Sequence, residues 1–124
     1  MQPECLILDD SRMVRAIARN LLESFGFLVS EADSGREALL QCQNKMPDMM
    51  LVDWNMPDMS GIEFIETIKA SNDKPIPKLL LCSTETRLNV IREAMKKGAD
   101  SYLMKPFDRV ALAHRLCRFG FNAS

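Results

Sequence analysis

The sequence has no surplus of either charge: sixteen lysines and arginines stand against seventeen aspartates and glutamates. That balance leaves no electrostatic footprint for nucleic acid or an anionic membrane, and neither is expected as a partner. No apolar run approaches the roughly 18 residues needed to cross a bilayer, and the first residues lead into a strand, not into the apolar stretch of a signal peptide. A cytoplasmic protein without membrane insertion is expected. No CxxC pair occurs among Cys5, Cys42, Cys82 and Cys117, which disfavours zinc and thioredoxin-like sites and leaves reduced thiols acting as small hydrophobes. Internal repeats, low-complexity segments and linkers are missing too. A chain of 124 residues is then expected to be a single domain, residues 1–124, monomeric and without an output domain.

What is present is a regular alternation of short apolar runs and helical stripes. Its centre is Met49–Gly61, in which Met49 to Val52 predicts a fully buried parallel strand that stops on Asp53 before a dense turn segment, Trp54 to Gly61. Cys5–Leu8 predicts a first strand, ending at Asp9-Asp10. Ser11 caps a helix carrying Met13, Val14, Ile17, Ala18, Leu21, Leu22 and Phe25, closed by Gly26. Phe27–Ala32 predicts a second strand, and Ser34 to Glu37 a capping box that opens a helix buried on Ala38, Leu39 and Cys42. Ser60 to Glu63 offers another capping box, with Ile62, Ile65 and Ile68 on the inner face of the third helix. After Pro75 and Pro77, Leu79–Cys82 is the fourth strand, ending at Ser83-Thr84. Leu88, Ile91, Ala94 and Met95 stripe a fourth helix closed by Gly98. Ser101–Met104 is the fifth strand, ending at Lys105-Pro106, and Asp108 caps a last helix on Leu112 and Leu116. Met49, Met50, Met95 and Met104 suit core filling, whereas Met13, Met56 and Met59 flank the acidic groups. Five strand–helix units predict an α/β fold, doubly wound, with a five-stranded parallel sheet and five helices.

Parallel strands bring Asp9, Asp10, Asp53, Ser83 and Lys105 to one edge of that sheet, beyond the strand ends where open α/β folds place ligands. Carboxylates crowded at about 5 Å repel by roughly 3 kcal/mol per pair at an effective dielectric of 20. A hard cation offsets this, and carboxylate and carbonyl oxygens suit Mg²⁺, which commonly shares its shell with phosphate. Lys105 supplies a further positive charge for phosphate oxygens. A carboxylate in such a place can serve as the nucleophile that accepts a phosphoryl group.

The acid pair, the acceptor aspartate in DWNMP, the hydroxyl, Glu85, Tyr102 and KPF resemble, in order and spacing, a response-regulator receiver domain, closest to the single-domain chemotaxis type. The resemblance spans Cys5 to about Phe119. It implies a flavodoxin-like sheet of order 2-1-3-4-5, carried over from the family. It implies that Asp53 is phosphorylated by a histidine kinase or histidine phosphotransfer protein, and that Mg²⁺ is held by Asp10, Asp53 and the Asn55 main-chain carbonyl, with Asp9 acting through a metal-bound water. It further implies that Ser83 is the switch hydroxyl, with Thr84 a competing one, that Lys105 contacts the phosphoryl group, that Tyr102 is an aromatic switch turning inward, and that Asn55 and Glu85 tune dephosphorylation. Pro106 resembles the family's cis proline. The changed surface, formed by the fourth helix, fifth strand and last helix, is expected to meet a separate effector protein.

Other readings are a phosphorylation-independent scaffold or phosphate sink on the same fold, an aspartate-nucleophile phosphohydrolase, and a flavodoxin-like cofactor binder. The phosphohydrolase pattern wants a second aspartate where Asn55 stands. A flavin phosphate would be repelled by Asp9-Asp10.

Overall fold

Every apolar run forms a strand and every stripe a helix, in the order β1 (Glu4–Leu8), α1 (Arg12–Ser24), β2 (Leu28–Ala32), α2 (Gly35–Asn44), β3 (Met49–Asp53), α3 (Gly61–Lys69), β4 (Lys78–Ser83), α4 (Leu88–Lys96), β5 (Ser101–Met104) and α5 (Arg109–Arg118). This computed structural model describes residues 2–71 and 75–123; Met1 and Ser124, the ends of the expected domain, lie outside them. All four strand pairings are parallel and the sheet order is β2-β1-β3-β4-β5. Every residue of β3 is buried, because it sits mid-sheet with helices on both faces. Edge strand β2 instead alternates, with Leu28 exposed and Ala32 buried.

Side chains alternate between two cores. Leu6, Leu8, Met50, Val52, Leu79 and Leu81 face Phe64, Ile65 and Ile68 of α3, with Ala38 and Cys42 of α2 and Ala94 of α4. Cys5, Ile7, Met49, Leu51, Leu80 and Cys82 face Ala18 and Leu22 of α1 and Leu112 and Leu116 of α5. Burial pushes the Cys5 and Cys82 thiols up to about 12, so both are inert hydrophobes; Cys117 is exposed.

Several sequence expectations shift. On α3 the fully buried face is Phe64, Ile65 and Ile68, with Ile62 only half-buried at its margin. On α4 only Ala94 is buried, and Leu88 is 65% exposed, because the short helix touches the core through one residue near its end. Met95 and Met104 are exposed rather than core filler, whereas Met56 and Met59 pack against the core; Met13 alone of the flanking three stays open, at 73% exposure. Phe27 precedes β2 and meets Phe121 edge-on, centroids 5.1 Å apart.

The helix starts are mostly as expected. Ser11, Ser34, Ser60 and Asp108 each accept an N–H of the first turn. Only Ser60–Glu63 forms the full reciprocal capping box. At α2 the second acceptor comes from afar: the Asp58 carboxylate takes the Gly35 and Arg36 N–H groups at 3.0 and 2.9 Å, which holds its carboxyl below the usual range. Gly26 and Gly98 close α1 and α4 with positive φ.

The segment after β3 turns back tightly on the strand. The Gly61 N–H donates to the Trp54 carbonyl at 2.7 Å, Asn55 and Ser60 form an isolated bridge, and a Cβ on Gly61 would overlap the Asp53 carbonyl oxygen. That neighbour is backbone and cannot swing aside. Gly61→Ala is therefore expected to lower stability by about 1–3 kcal/mol, read as a lower urea midpoint; an unchanged midpoint would show the loop to be slack.

Candidate functional site

The carboxyl ends of β1, β3, β4 and β5 deliver the expected groups to one place. Asp53 and Ser83 are the last residues of β3 and β4, and Asp9 and Lys105 follow β1 and β5 directly or nearly so. Backbone bonds extend the sheet past those ends: the Asp9 N–H donates to Ala32 O at 3.2 Å and the Lys105 N–H to Ser83 O at 2.8 Å. Asp9, Asp53 and Ser83 are the buried polar residues among those described, at 3%, 8% and 7% exposure.

Lys105 ties the acids together. Its Nζ donates to Asp9 Oδ2 at 2.8 Å and to Asp53 Oδ1 at 3.0 Å. Burial works against the Lys105 ammonium, yet the hydrogen bonds and charges of Asp9 and Asp53 overcome it and raise its pKa. Burial also lifts the Asp53 carboxyl above its ordinary value; the Lys105 hydrogen bond pulls it down and the Asp9 charge pushes it up again. The Lys105–Pro106 bond is cis.

Asp10 stands exposed at the rim, and one oxygen each from Asp9, Asp10 and Asp53 lie within 4.8 Å of one another. The donors are all hard carboxylate oxygens, which fits Mg²⁺ and does not fit a soft metal. Both Asp9 oxygens already have partners, Oδ1 the Ser11 N–H at 2.8 Å and Oδ2 the lysine. Asp10 and the other Asp53 oxygen are the groups that could hold such an ion directly. Asn55 is exposed in the turn beyond Asp53.

The hydroxyls separate cleanly. Ser83 is buried and Thr84 exposed, and Ser83 does not cap α4, which starts at Leu88. Ser83 Oγ accepts the Glu85 N–H at 3.1 Å, leaving its own hydrogen to donate. The Tyr102 hydroxyl is already turned inward, 2.6 Å from Glu85 O and 3.1 Å from Ser83 O, with its ring edge-on to Trp54 at 6.4 Å.

Sequence reasoning missed the brace behind Asp9. Arg15 Nη1 donates to the Asp9 carbonyl at 2.7 Å, while its Nε meets Glu31, which also receives Arg19 Nε at 2.6 Å. The i, i+4 spacing of the arginines on α1 was legible; their partner on β2 was not.

A raised carboxyl pKa makes ionised Asp53 a cost to the folded state, absent at low pH and present once pH exceeds the folded pKa. Asp53→Asn is expected to raise the urea midpoint at pH 7 without divalent cation, and the gain is expected to shrink as pH falls through the carboxylate range. A variant less stable than the parent at pH 7 would contradict this.

Comparison with known proteins agrees with the geometry. Residues 5–117 match the family model of the response regulator receiver domain. Chemotaxis protein CheY-3 of Vibrio cholerae is 36% identical over 112 residues, covering 90% of this chain and 86% of that protein. Chemotaxis protein CheY of Listeria monocytogenes is 35% identical over 108 residues, 85% of this chain and 89% of the relative. Among solved structures, the chemotaxis response regulator CheY4 of Vibrio cholerae superposes with a TM-score of 0.89 at 32% identity, over 95% of this chain and 98% of that one. With the sheet order, the acid cluster and the lysine between two of its members, this chain belongs to the response regulator receiver domain family.

Proposed function

We propose that the protein is a phosphorylation-controlled switch of a two-component system. The observation that carries this reading is the buried Asp53 carboxylate at a central strand end, held by Lys105 beside two further acids. An Asp53 oxygen attacks the phosphorus of a phosphohistidine on a histidine kinase or histidine phosphotransfer protein; the O–P bond forms, the N–P bond breaks, and the electron pair leaves on the imidazole nitrogen. Lys105 is placed to hold a phosphoryl oxygen as negative charge gathers there. Asp10, Asp53 and the Asn55 main-chain carbonyl would hold Mg²⁺, with Asp9 behind them. When bound, the ion neutralises charge on the phosphoryl oxygens.

The output follows from the groups around Ser83. Its hydroxyl hydrogen donates to a phosphoryl oxygen, and the added charge biases Tyr102 toward the conformer in which its hydroxyl meets Glu85 O and Ser83 O. The face of α4, β5 and α5 changes with it and binds a separate effector in the cytoplasm. Asn55, exposed beside the acceptor, is placed to act on the water that removes the phosphoryl group. Among the described residues no helix is long and apolar enough to cross a membrane.

A small phosphodonor with Mg²⁺ is expected to add one phosphoryl group to the protein and none to Asp53→Asn, read by intact mass. Labelling of that variant at the parental level would refute the acceptor. Mg²⁺ is also expected to change Trp54 fluorescence, and Asp10→Asn to raise the midpoint of that titration more than about tenfold. An unshifted midpoint would remove Asp10 from the ligand set.

A further inference from the structure

Glu85 lies two residues beyond Ser83, between β4 and α4, and all of its polar groups are engaged. Its N–H serves Ser83 Oγ and its carbonyl accepts from Tyr102, as described. Its carboxylate takes the Arg87 guanidinium twice, Nε on Oε2 at 2.9 Å and Nη2 on Oε1 at 2.8 Å. Oε2 also accepts the backbone N–H groups of Thr86 at 3.0 Å and Arg87 at 2.8 Å. The Arg87 side chain first, and these N–H groups after it, hold the Glu85 carboxyl down to about 2. The ionised carboxylate is thus held by four donors, three on Oε2 and one on Oε1.

Both side chains line an open hollow of about 470 Å³, together with Trp54, Asn55, Ser83 and Val90. Trp54 and Asn55 follow Asp53 in the chain, and Ser83 ends the strand beside it. The hollow therefore lies beside the strand ends that carry Asp53 and Ser83. The Arg87 side chain is 72% exposed there and that of Glu85 18%. Such an exposed pair adds little to stability, but its charges sum to zero only while both members are present. Without Arg87 the wall carries an uncompensated anion next to a site that receives anions.

We propose that Arg87 is a positioning residue of this site: by clamping Glu85 it keeps the wall of the hollow neutral toward an incoming anionic phosphodonor. The proposal rests on the phosphoryl-transfer reading above.

The test is the initial rate of phosphoprotein formation from acetyl phosphate and Mg²⁺, followed by intact mass at low and high ionic strength. At low salt Arg87→Gln is expected to slow labelling by about two- to fivefold, the size of an exposed charge interaction. Glu85→Gln is expected to speed it by a similar factor, and the double variant to return close to the parental rate. High salt is expected to erase these differences. A merely structural role at the start of α4 would move both single variants the same way and survive salt, and either result overturns the proposal. A parent that labels normally while both single variants match it overturns the proposal alone; a parent that never labels overturns the functional reading, and this inference with it.

Discussion

Two buried carboxylates share one ammonium group, and the rest of the site depends on that contact. Lys105 reaches both Asp9 and Asp53 from the far side of the sheet, across 96 and 52 residues of chain. Burial lifts the Asp53 carboxyl toward neutrality. The lysine keeps the pair tolerable without satisfying it fully. The acid cluster is therefore suited in charge to a second, divalent cation, and Lys105 already presents an ammonium group to any anion that enters.

Strand geometry gathers this local balance into one site. Parallel pairing puts the four chemically active strand ends in one plane, and backbone bonds beyond those ends fix Asp9 and Lys105 nearly as firmly as the strands themselves. The segment after β3 is pinned by Gly61 against the Asp53 carbonyl and by Asp58 on the start of α2. The segment after β4 is held differently, by Glu85 contacts to Ser83, Tyr102 and Arg87. The links to Ser83 and Tyr102 are single hydrogen bonds, whereas Arg87 is held by two side-chain bonds and its own backbone N–H, an ion pair open to solvent on the arginine side.

Much of this was legible because strand ends punctuate the sequence. Each apolar run stopped on a polar residue, and parallel connection made those residues neighbours. What failed shares one cause: contacts and exposures that no local period or capping spacing encodes. The stripe on α4 was read as core because Leu88, Ile91, Ala94 and Met95 have helical spacing, yet the helix buries only Ala94. The methionines at 95 and 104 were misplaced for the same reason. The Arg15–Glu31 brace and the Asp58 cap join residues 16 and 23 positions apart, at no periodic spacing.

Taken alone, the sequence determined the alternation of strands and helices, the five strands and the set of groups at their ends, since hydrophobic period and capping chemistry are local properties of the chain. The tertiary structure decided which of those groups touch. It buried Ser83 and exposed Thr84, engaged both Asp9 oxygens while leaving Asp10 at the rim, and closed Arg87 on Glu85. Such choices turn on distance and solvent exposure, which a linear order of residues does not contain.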